Sequence, residues 1–148
     1  MQTRHLRTAG FTLVELAVVV VIVGVLAAFA VPRFTDSVER SKSSEAFNFQ
    51  ATIHAAQERY HARQGIYAAR LAALDVDAGD LEYFTVGEVA VPAAESSLET
   101  GWELTLTRFG HASGFGAYTV VFNQEGFDGT NSTILPQVSP LQTGGDGS

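Results

Sequence analysis

The sequence predicts an α+β fold, in which a long N-terminal α-helix carries a small antiparallel β-sheet on its C-terminal half. Two observations predict this class. Residues 11–64 begin as an apolar run and continue as an amphipathic pattern of helical period. Residues 81–122 hold short runs rich in alternating, β-branched and aromatic residues, separated by glycine-containing turns, as in antiparallel strands.

The N-terminal part of the predicted helix is almost free of charge. Between Phe11 and Ala30 the only charged side chain is Glu15. As a helix these residues would be about 30 Å long, roughly the thickness of the hydrocarbon core of a membrane. We therefore expect residues 11–32 to lie in lipid or among other copies of the chain. Residues 1–10 carry Arg4 and Arg7 and no acid, so the positive-inside tendency predicts a cytoplasmic N-terminus.

The second part of the predicted helix, residues 33–64, is amphipathic. Gly65 is a suitable C-terminal cap. Before this part of the helix, Gly24 and Pro32 predict a bend or local melting, since proline cannot donate to the Ala28 carbonyl and glycine adds backbone freedom. A mild kink without consequence is the alternative, because membrane helices tolerate both residues. The apolar residues recur at three- and four-residue steps and form one stripe: Phe34, Val38, Ala46, Phe49, Ile53, Ala56 and Tyr60.

The remaining chain is predicted to form a globular β-sheet head over residues 65–135 and an irregular tail over residues 136–148. Strands are expected within Leu81–Val91, Trp102–Leu106 and Ala117–Phe122, three or four in all, with a turn at Gly110–Gly116. One face of the sheet should pack on the helix. The contacts expected there join Phe49, Ile53 and Tyr60 to Trp102, Leu104, Leu106 and Val120.

The composition argues against several classes of function. The formal charge is −7, and from Leu71 onward the single cation is Arg108, so general nucleic-acid binding is disfavoured. Arg59, Arg63 and Arg70 form the one basic cluster, which we interpret as a solvated helix face. The chain has no cysteine, which excludes disulfides and thiolate metal sites. No nucleophile, base and acid share a known signature and no phosphate-binding glycine loop occurs, so neither an enzyme nor a cofactor is expected.

The most informative motif lies where the leader meets the apolar run. Its sequence is Ala9-Gly10-Phe11-Thr12-Leu13-Val14-Glu15-Leu16. An acid inside an apolar run is costly in lipid, so we expect Glu15 to pair with a positive group. In this motif the chain resembles the type IV pilins and the pseudopilins of type II secretion systems. The resemblance extends over about 65 residues, through Gln57-Glu58-Arg59-Tyr60 to Gly65-Ile66-Tyr67.

The resemblance implies a structural subunit of a pilus-like filament. A prepilin peptidase would cut between Gly10 and Phe11 and methylate the new amine of Phe11. The subunit would then leave the inner membrane, through an assembly platform, for an extracellular or periplasmic filament of itself and minor subunits. Glu15 would neutralise the amine of an adjacent subunit, and Gly24 and Pro32 match a helix-loosening segment of the family. Many pilins have a cysteine pair that this chain lacks.

Two alternative interpretations of the N-terminus remain open. Arg4 and Arg7 with Ala28-Phe29-Ala30 also fit a secretory signal peptide cut near Ala30, which would release a soluble binding protein. An uncleaved single-span anchor is the other. The mature chain would begin at Phe11, Val31 or Met1, respectively.

Several polar groups are candidates for metal binding or modification. His54, Glu58 and His61 share a helix face, although a hydrated surface is the simpler interpretation. Asp75, Asp77 and Asp80 do not have EF-hand spacing. Some pseudopilins hold calcium in a C-terminal loop, and Asn131-Ser132-Thr133 matches a glycosylation pattern. The weak calcium candidates in that region are Asn123, Glu125, Asp128 and Asn131.

Overall fold

The computed structural model describes residues 10–76, 81–110 and 114–141. It contains one long helix, α1 (Leu13–Gln64), and a sheet of four strands. The predicted α+β class, with its long helix and antiparallel sheet, is therefore confirmed. The strands are β1 (Phe84–Ala90), β2 (Glu103–Arg108), β3 (Thr119–Asn123) and β4 (Gly126–Asp128), and short 3-10 turns occur at Leu71–Ala73 and Pro136–Val138.

Helix α1 belongs to both compact units of the chain, one extending to Thr35 and the other beginning at Asp36. Its backbone stays α-helical through Gly24 and Pro32, and the Thr35 hydroxyl donates to the Pro32 carbonyl at 2.7 Å. The predicted loosening of the helix there stays a prediction. The end of the helix was predicted correctly, because Gly65 follows Gln64 with φ 75° and donates its N–H to the His61 carbonyl at 2.8 Å.

The sheet is a meander in which each strand pairs with the next, in the order β1-β2-β3-β4, and all pairs are antiparallel. Strands β1 to β3 lie within or close to the predicted runs, but β1 starts at Phe84 rather than Leu81 and β2 continues to Arg108. Strand β4 lies outside these runs. The pairing of β1 with β2 shifts between Val86 and Val89, which marks a β-bulge. The bulge was not predicted.

The core of the second unit lies between the C-terminal half of α1 and one face of the sheet. Phe49 and Ile53 are buried with residues of β2 and β3, and Tyr60 packs at the edge of this core. The predicted contact between helix and sheet is therefore confirmed. The buried apolar residues that form it are Ala46, Phe49, Ile53, Ala56, Tyr67, Ala68, Leu74, Phe84, Trp102, Leu104, Leu106, Tyr118, Val120 and Phe122.

The predicted apolar stripe is wrong at its N-terminal end. Phe34 and Val38 are exposed, and the buried positions nearest to them on α1 are the polar residues Glu39 and Ser43. The reason is that the sheet presents a buried arginine, Arg108, at this end. A carboxylate satisfies that guanidinium, whereas an apolar side chain would leave it unpaired.

The segment that follows the sheet packs on α1 rather than lying free. Val138 is fully buried, and its carbonyl accepts a hydrogen bond from the Ser43 hydroxyl at 2.6 Å. The Arg40 guanidinium donates twice to the Gln137 carbonyl, at 2.7 and 3.2 Å. The sequence indicated only an irregular tail from Pro136, so this docking was not predicted.

Candidate functional site

The start of α1 is held by a reciprocal pair of side chains. The Glu15 carboxylate accepts hydrogen bonds from the backbone N–H and the hydroxyl of Thr12, both at 2.8 Å. In return the Thr12 hydroxyl accepts the N–H of Glu15 at 3.2 Å. This is a capping box, in which the residue before the helix and the third helical residue satisfy each other's backbone donors. The threonine followed three residues later by a glutamate in Thr12-Leu13-Val14-Glu15 is the sequence pattern of such a cap, and the cap was not predicted.

The predicted processing position lies immediately before this cap. Gly10 and Phe11 precede the first helical residue, and both are exposed. Phe11 is 79% exposed, so the described part of its own chain covers little of it. The Gly10–Phe11 bond therefore lies in a stretch outside regular secondary structure, as a peptidase substrate must.

The large apolar side chains of α1 before Thr35 are exposed in the part of the chain that the structure describes. Every large apolar residue from Leu13 to Val31 is at least half exposed, and the helix is long and apolar enough to cross a membrane. One shallow, almost wholly apolar depression of about 300 Å³ lies on this surface, lined by Val14, Ala17, Val18, Val21 and Ile22. Such a surface is stable only in lipid or against other apolar helices.

The structure gives the three residues of the predicted histidine face separate partners. His54 Nε2 lies 3.0 Å from the Gln124 carbonyl, and His61 Nε2 lies 3.2 Å from the Glu99 carbonyl. Glu58 accepts a hydrogen bond from the Tyr67 hydroxyl at 3.1 Å. These contacts tie the end of α1 to the loops that follow it, which gives each side chain a structural role.

The acidic residues without EF-hand spacing, Asp75, Asp77 and Asp80, include one that forms ion pairs. Asp75 lies 3.1 Å from Arg59 and 3.6 Å from Arg63, so two members of the basic cluster pair with an acid. A hydrogen bond from Arg59 lowers the pKa of Asp75. Asp77 and Asp80 lie outside the described residues.

The weak calcium candidates already use much of their oxygen in local hydrogen bonds. The Asp128 carboxylate accepts the N–H groups of Thr130 and Asn131 and the side-chain amide of Asn131, at 2.8 to 3.1 Å, and these bonds, those from Asn131 first, lower its pKa. Asn123 accepts the N–H of Glu125 at 2.9 Å. Within residues 10–76, 81–110 and 114–141, no group of three histidines or acids is placed to hold a metal.

The side chains of the possible glycosylation pattern, Asn131-Ser132-Thr133, also form hydrogen bonds within the chain. The hydroxyl of Thr133 accepts the N–H of Thr119 at 2.8 Å and lies 3.1 Å from the Thr119 hydroxyl. Asn131 donates its side-chain amide to Asp128. Both of the side chains that define the pattern are thus hydrogen-bonded within the folded head.

A buried charged network is the feature that sequence reasoning missed. Arg108 Nε donates to Glu39 Oε1 at 2.6 Å and Nη2 donates to Oε2 at 3.2 Å, while the Tyr118 hydroxyl donates to Oε1 at 3.0 Å. Burial raises the pKa of Glu39, but the hydrogen bonds from Arg108 and Tyr118 outweigh this effect and the pKa is lowered. Burial and the bond to Glu39 raise the pKa of Tyr118.

Comparison with known proteins supports the interpretation of the N-terminal motif as that of the type IV pilins. Residues 6–31 match the family described as the prokaryotic N-terminal methylation motif. The curated relatives include the fimbrial protein EcpC of Eikenella corrodens, which is 41% identical over 85 residues, or 57% of this chain and 55% of the relative. No solved structure matches the chain.

Two further relatives are named as major pilus subunits. The type IV major pilin protein PilA of Myxococcus xanthus is 35% identical over 105 residues, covering 60% of this chain and 46% of the relative. The type IV narrow pilus major component PilA5 of Thermus thermophilus is 46% identical over 55 residues, covering 37% of this chain and 45% of the relative. The chain spans about half the length of the curated relatives it matches. These matches confirm the predicted resemblance to the type IV pilin family.

Proposed function

We propose that this chain is a structural subunit of a type IV pilus or a pilus-like filament and has no catalytic role. The observation that carries the proposal is the exposed apolar surface of α1 from Leu13 to Val31, interrupted only by Glu15. A single chain cannot shield such a surface from water, whereas lipid before assembly and neighbouring helices after assembly can. The names of the relatives, which are pilus and fimbrial subunits, support the same conclusion.

The proposed route begins with a precursor in the cytoplasmic membrane, with its N-terminus inside and its head outside. A prepilin peptidase cuts between Gly10 and Phe11 and methylates the Phe11 amine. The subunit then polymerises, with minor subunits and through an inner-membrane assembly platform, into a surface or periplasmic filament. The exposure of Gly10 and Phe11 supports access for the peptidase, and the unbroken helix across Ala30 favours this route over a signal peptide cut there.

The proposed role of Glu15 is to pair with the Phe11 amine of an adjacent subunit. At about 4 Å and an effective dielectric constant near 20, the attraction is about 4 kcal/mol, most of which offsets the desolvation of both charges. The pair therefore sets the register between subunits, while packing of the apolar helices supplies the cohesion. The Thr12 cap supports this role because it already holds the carboxylate beside the residue that would carry the new amine.

The decisive measurement is the mass of the N-terminal peptide of the mature protein from its own cell membranes. A chain that starts with N-methylated Phe11 supports the proposal. Replacement of Gly10 by leucine should leave an uncut, heavier membrane protein. A mature chain that starts at Val31 or Met1 would instead support the exported protein or the single-span anchor.

The assembly step is tested with Glu15→Ala and Glu15→Lys, compared with the exposed head variant Glu88→Ala as a control for loss of one carboxylate. We expect both Glu15 variants to be cut normally but to be missing from filaments sheared from cells. The Glu88→Ala protein should assemble like the wild type. Normal filaments from either Glu15 variant would rule out the proposed pairing.

A further inference from the structure

We call the β-sheet, its flanking loops and the docked segment Pro136–Val138 the sheet unit. The first part of α1 that contacts it, residues 36–45, is held by polar groups instead of apolar packing. We call this set of contacts the polar collar, which comprises Glu39, Arg40, Ser43 and Glu45 of α1 and their partners. Of the residues of α1 between Asp36 and Glu45, the two that are buried are Glu39 and Ser43. From Ala46 onward the buried residues are mainly apolar.

The partners of the polar collar come from four separate segments of the chain. Glu39 binds Arg108 at the end of β2 and Tyr118 just before β3. Arg40 and Ser43 bind the carbonyls of residues 137 and 138, at 2.6 to 3.2 Å. The Glu45 carboxylate accepts the backbone N–H groups of Glu82 and Tyr83, just before β1, at 2.7 and 2.9 Å.

These contacts surround more than half of the helix. Successive residues of an α-helix are rotated by about 100°, so residues 45, 39, 43 and 40 cover an arc of about 220°. The Arg108 guanidinium also donates to the Tyr83 and Phe109 carbonyls, and it lies 5.3 Å from the centre of the Tyr83 ring. Hydrogen bonds of this kind have preferred directions, and a forked guanidinium donates to both oxygens of a carboxylate in one orientation.

Apolar packing alone fixes the rotation of a helix on a sheet less strictly, because the hydrophobic effect is non-directional. Replacing a buried ion pair by apolar side chains often leaves stability unchanged or raises it, so stability alone does not explain why this network is present. We infer that the polar collar is an orientation key, which holds residues 36–45 of α1 at one rotation on the sheet unit. Its use during filament assembly rests on the proposed function.

The test uses the full-length chain in detergent and measures hydrogen exchange by mass spectrometry. The main variant, Glu39→Met/Arg108→Met/Tyr118→Phe, removes the whole charged network while keeping similar side-chain volumes. The Tyr83 carbonyl keeps a donor in this variant, because the N–H of Phe109 also bonds to it. Arg59→Met is the matched control, since it removes a half-exposed ion pair with Asp75 from the same helix.

An orientation key predicts a local effect. In the triple variant, amides of residues 36–45 should exchange at least about tenfold faster, while those of residues 46–57 keep the wild-type rate. Arg108→Lys, which keeps the charge but loses the fork, should show the same local increase, and this variant decides the question if the triple variant does not fold. Wild-type exchange at residues 36–45 in these variants would overturn the inference. So would faster exchange spread evenly over α1, because that result indicates a purely stabilising role.

Filament assembly supplies a second, separable readout. The triple variant should be cut like the wild type but enter sheared filaments at no more than about a tenth of the wild-type amount, because its heads no longer share one orientation. If the triple variant enters filaments as well as the wild type, the orientation key has no role in assembly. If the wild-type chain itself forms no filaments, the proposed function fails, and hydrogen exchange still tests the key.

Discussion

At the scale of single residues, Glu39 makes the stability of the head depend on pH. Its pKa is lowered from the ordinary value of 4.5 by Arg108 and Tyr118, with a smaller contribution from the charge on Lys42. A carboxyl group with a lowered folded-state pKa stabilises the protein above its ordinary pKa, and the stabilisation is lost as the pH falls through the folded-state value. Acid should therefore weaken the contact between α1 and the sheet unit.

Glu39→Gln tests this dependence. The change leaves Arg108 buried without a negative partner, so we expect the free energy of unfolding at pH 7 to fall by about 3 kcal/mol. The loss should shrink as the pH falls below about 4.5 and through the lower folded-state pKa, because the wild-type carboxylate becomes protonated there and the variant has no such group. Urea unfolding of both full-length proteins across this range is the measurement. A constant difference at all pH values would contradict the assignment.

Gln57 is a second buried polar residue, and its side chain binds the backbone of the loop that follows α1. Its side chain donates to the Ala68 carbonyl at 3.1 Å and accepts the Ala68 N–H at 2.8 Å, which fixes the loop after α1. Gln57→Ala leaves both buried backbone groups unpaired, so we expect a loss of about 3 kcal/mol in the free energy of unfolding. The exposed Gln64→Ala is the control and should change stability little. Equal effects of the two changes in urea titrations would refute this role.

The residue scale also shows what the sequence reveals about a site. Glu15 is conspicuous because it is the one charge in an apolar run. Glu39 does not differ from its neighbours in this way. It lies in the sequence among Asp36, Arg40 and Lys42, so the pattern predicts a surface residue. Its partner, Arg108, is 69 positions away, and only the folded sheet brings the two together. Periodicity can therefore locate an isolated charge, but not a buried pair made by distant parts of the chain.

At the scale of elements, the length of α1 and the presence of the sheet were predictable, because apolar periodicity and a terminal glycine are local signals. The β1 bulge and the docking of Pro136–Val138 were not, because they depend on contacts between elements. Gly87, within the bulge, illustrates this: a Cβ atom there would lie 2.8 Å from the Thr105 carbonyl oxygen on β2. A backbone atom cannot move aside as a side chain can.

Gly87→Ala should therefore separate β1 from β2 locally. We expect a loss of about 2 kcal/mol in the free energy of unfolding, since the strands must part or distort to admit the methyl group. Glu88→Ala, an exposed neighbour on the same strand, is the control, with an expected change within about 0.5 kcal/mol. Thermal unfolding of both full-length variants gives the comparison. A Gly87→Ala protein as stable as its control would show that the bulge has room for a side chain.

At the scale of the whole molecule, the uneven distribution of charge determines how the proposed filaments should interact. The full chain has a formal charge of −7, and cleavage after Gly10 removes Arg4 and Arg7 without removing an acid, which leaves −9. Subunits that share an apolar helical core must display this charge on the filament surface, apart from the Glu15 carboxylate, which lies in that core. Neighbouring filaments then repel each other, and the repulsion extends over a Debye length of about 10 Å at 0.1 M salt.

Sheared filaments should consequently stay dispersed at neutral pH and low salt, and should form bundles when Mg²⁺ is added. Mg²⁺ should act at a lower ionic strength than NaCl, because a divalent ion can lie between carboxylates of two filaments as well as screen them. Acidification should have the same effect without a divalent ion as the pH approaches the isoelectric point of the cut subunit, which lies below the 4.9 of the full chain because two arginines are lost. Light scattering and low-speed sedimentation measure the bundling. Bundles that form equally well at low salt and neutral pH would show that specific contacts between heads outweigh the net charge.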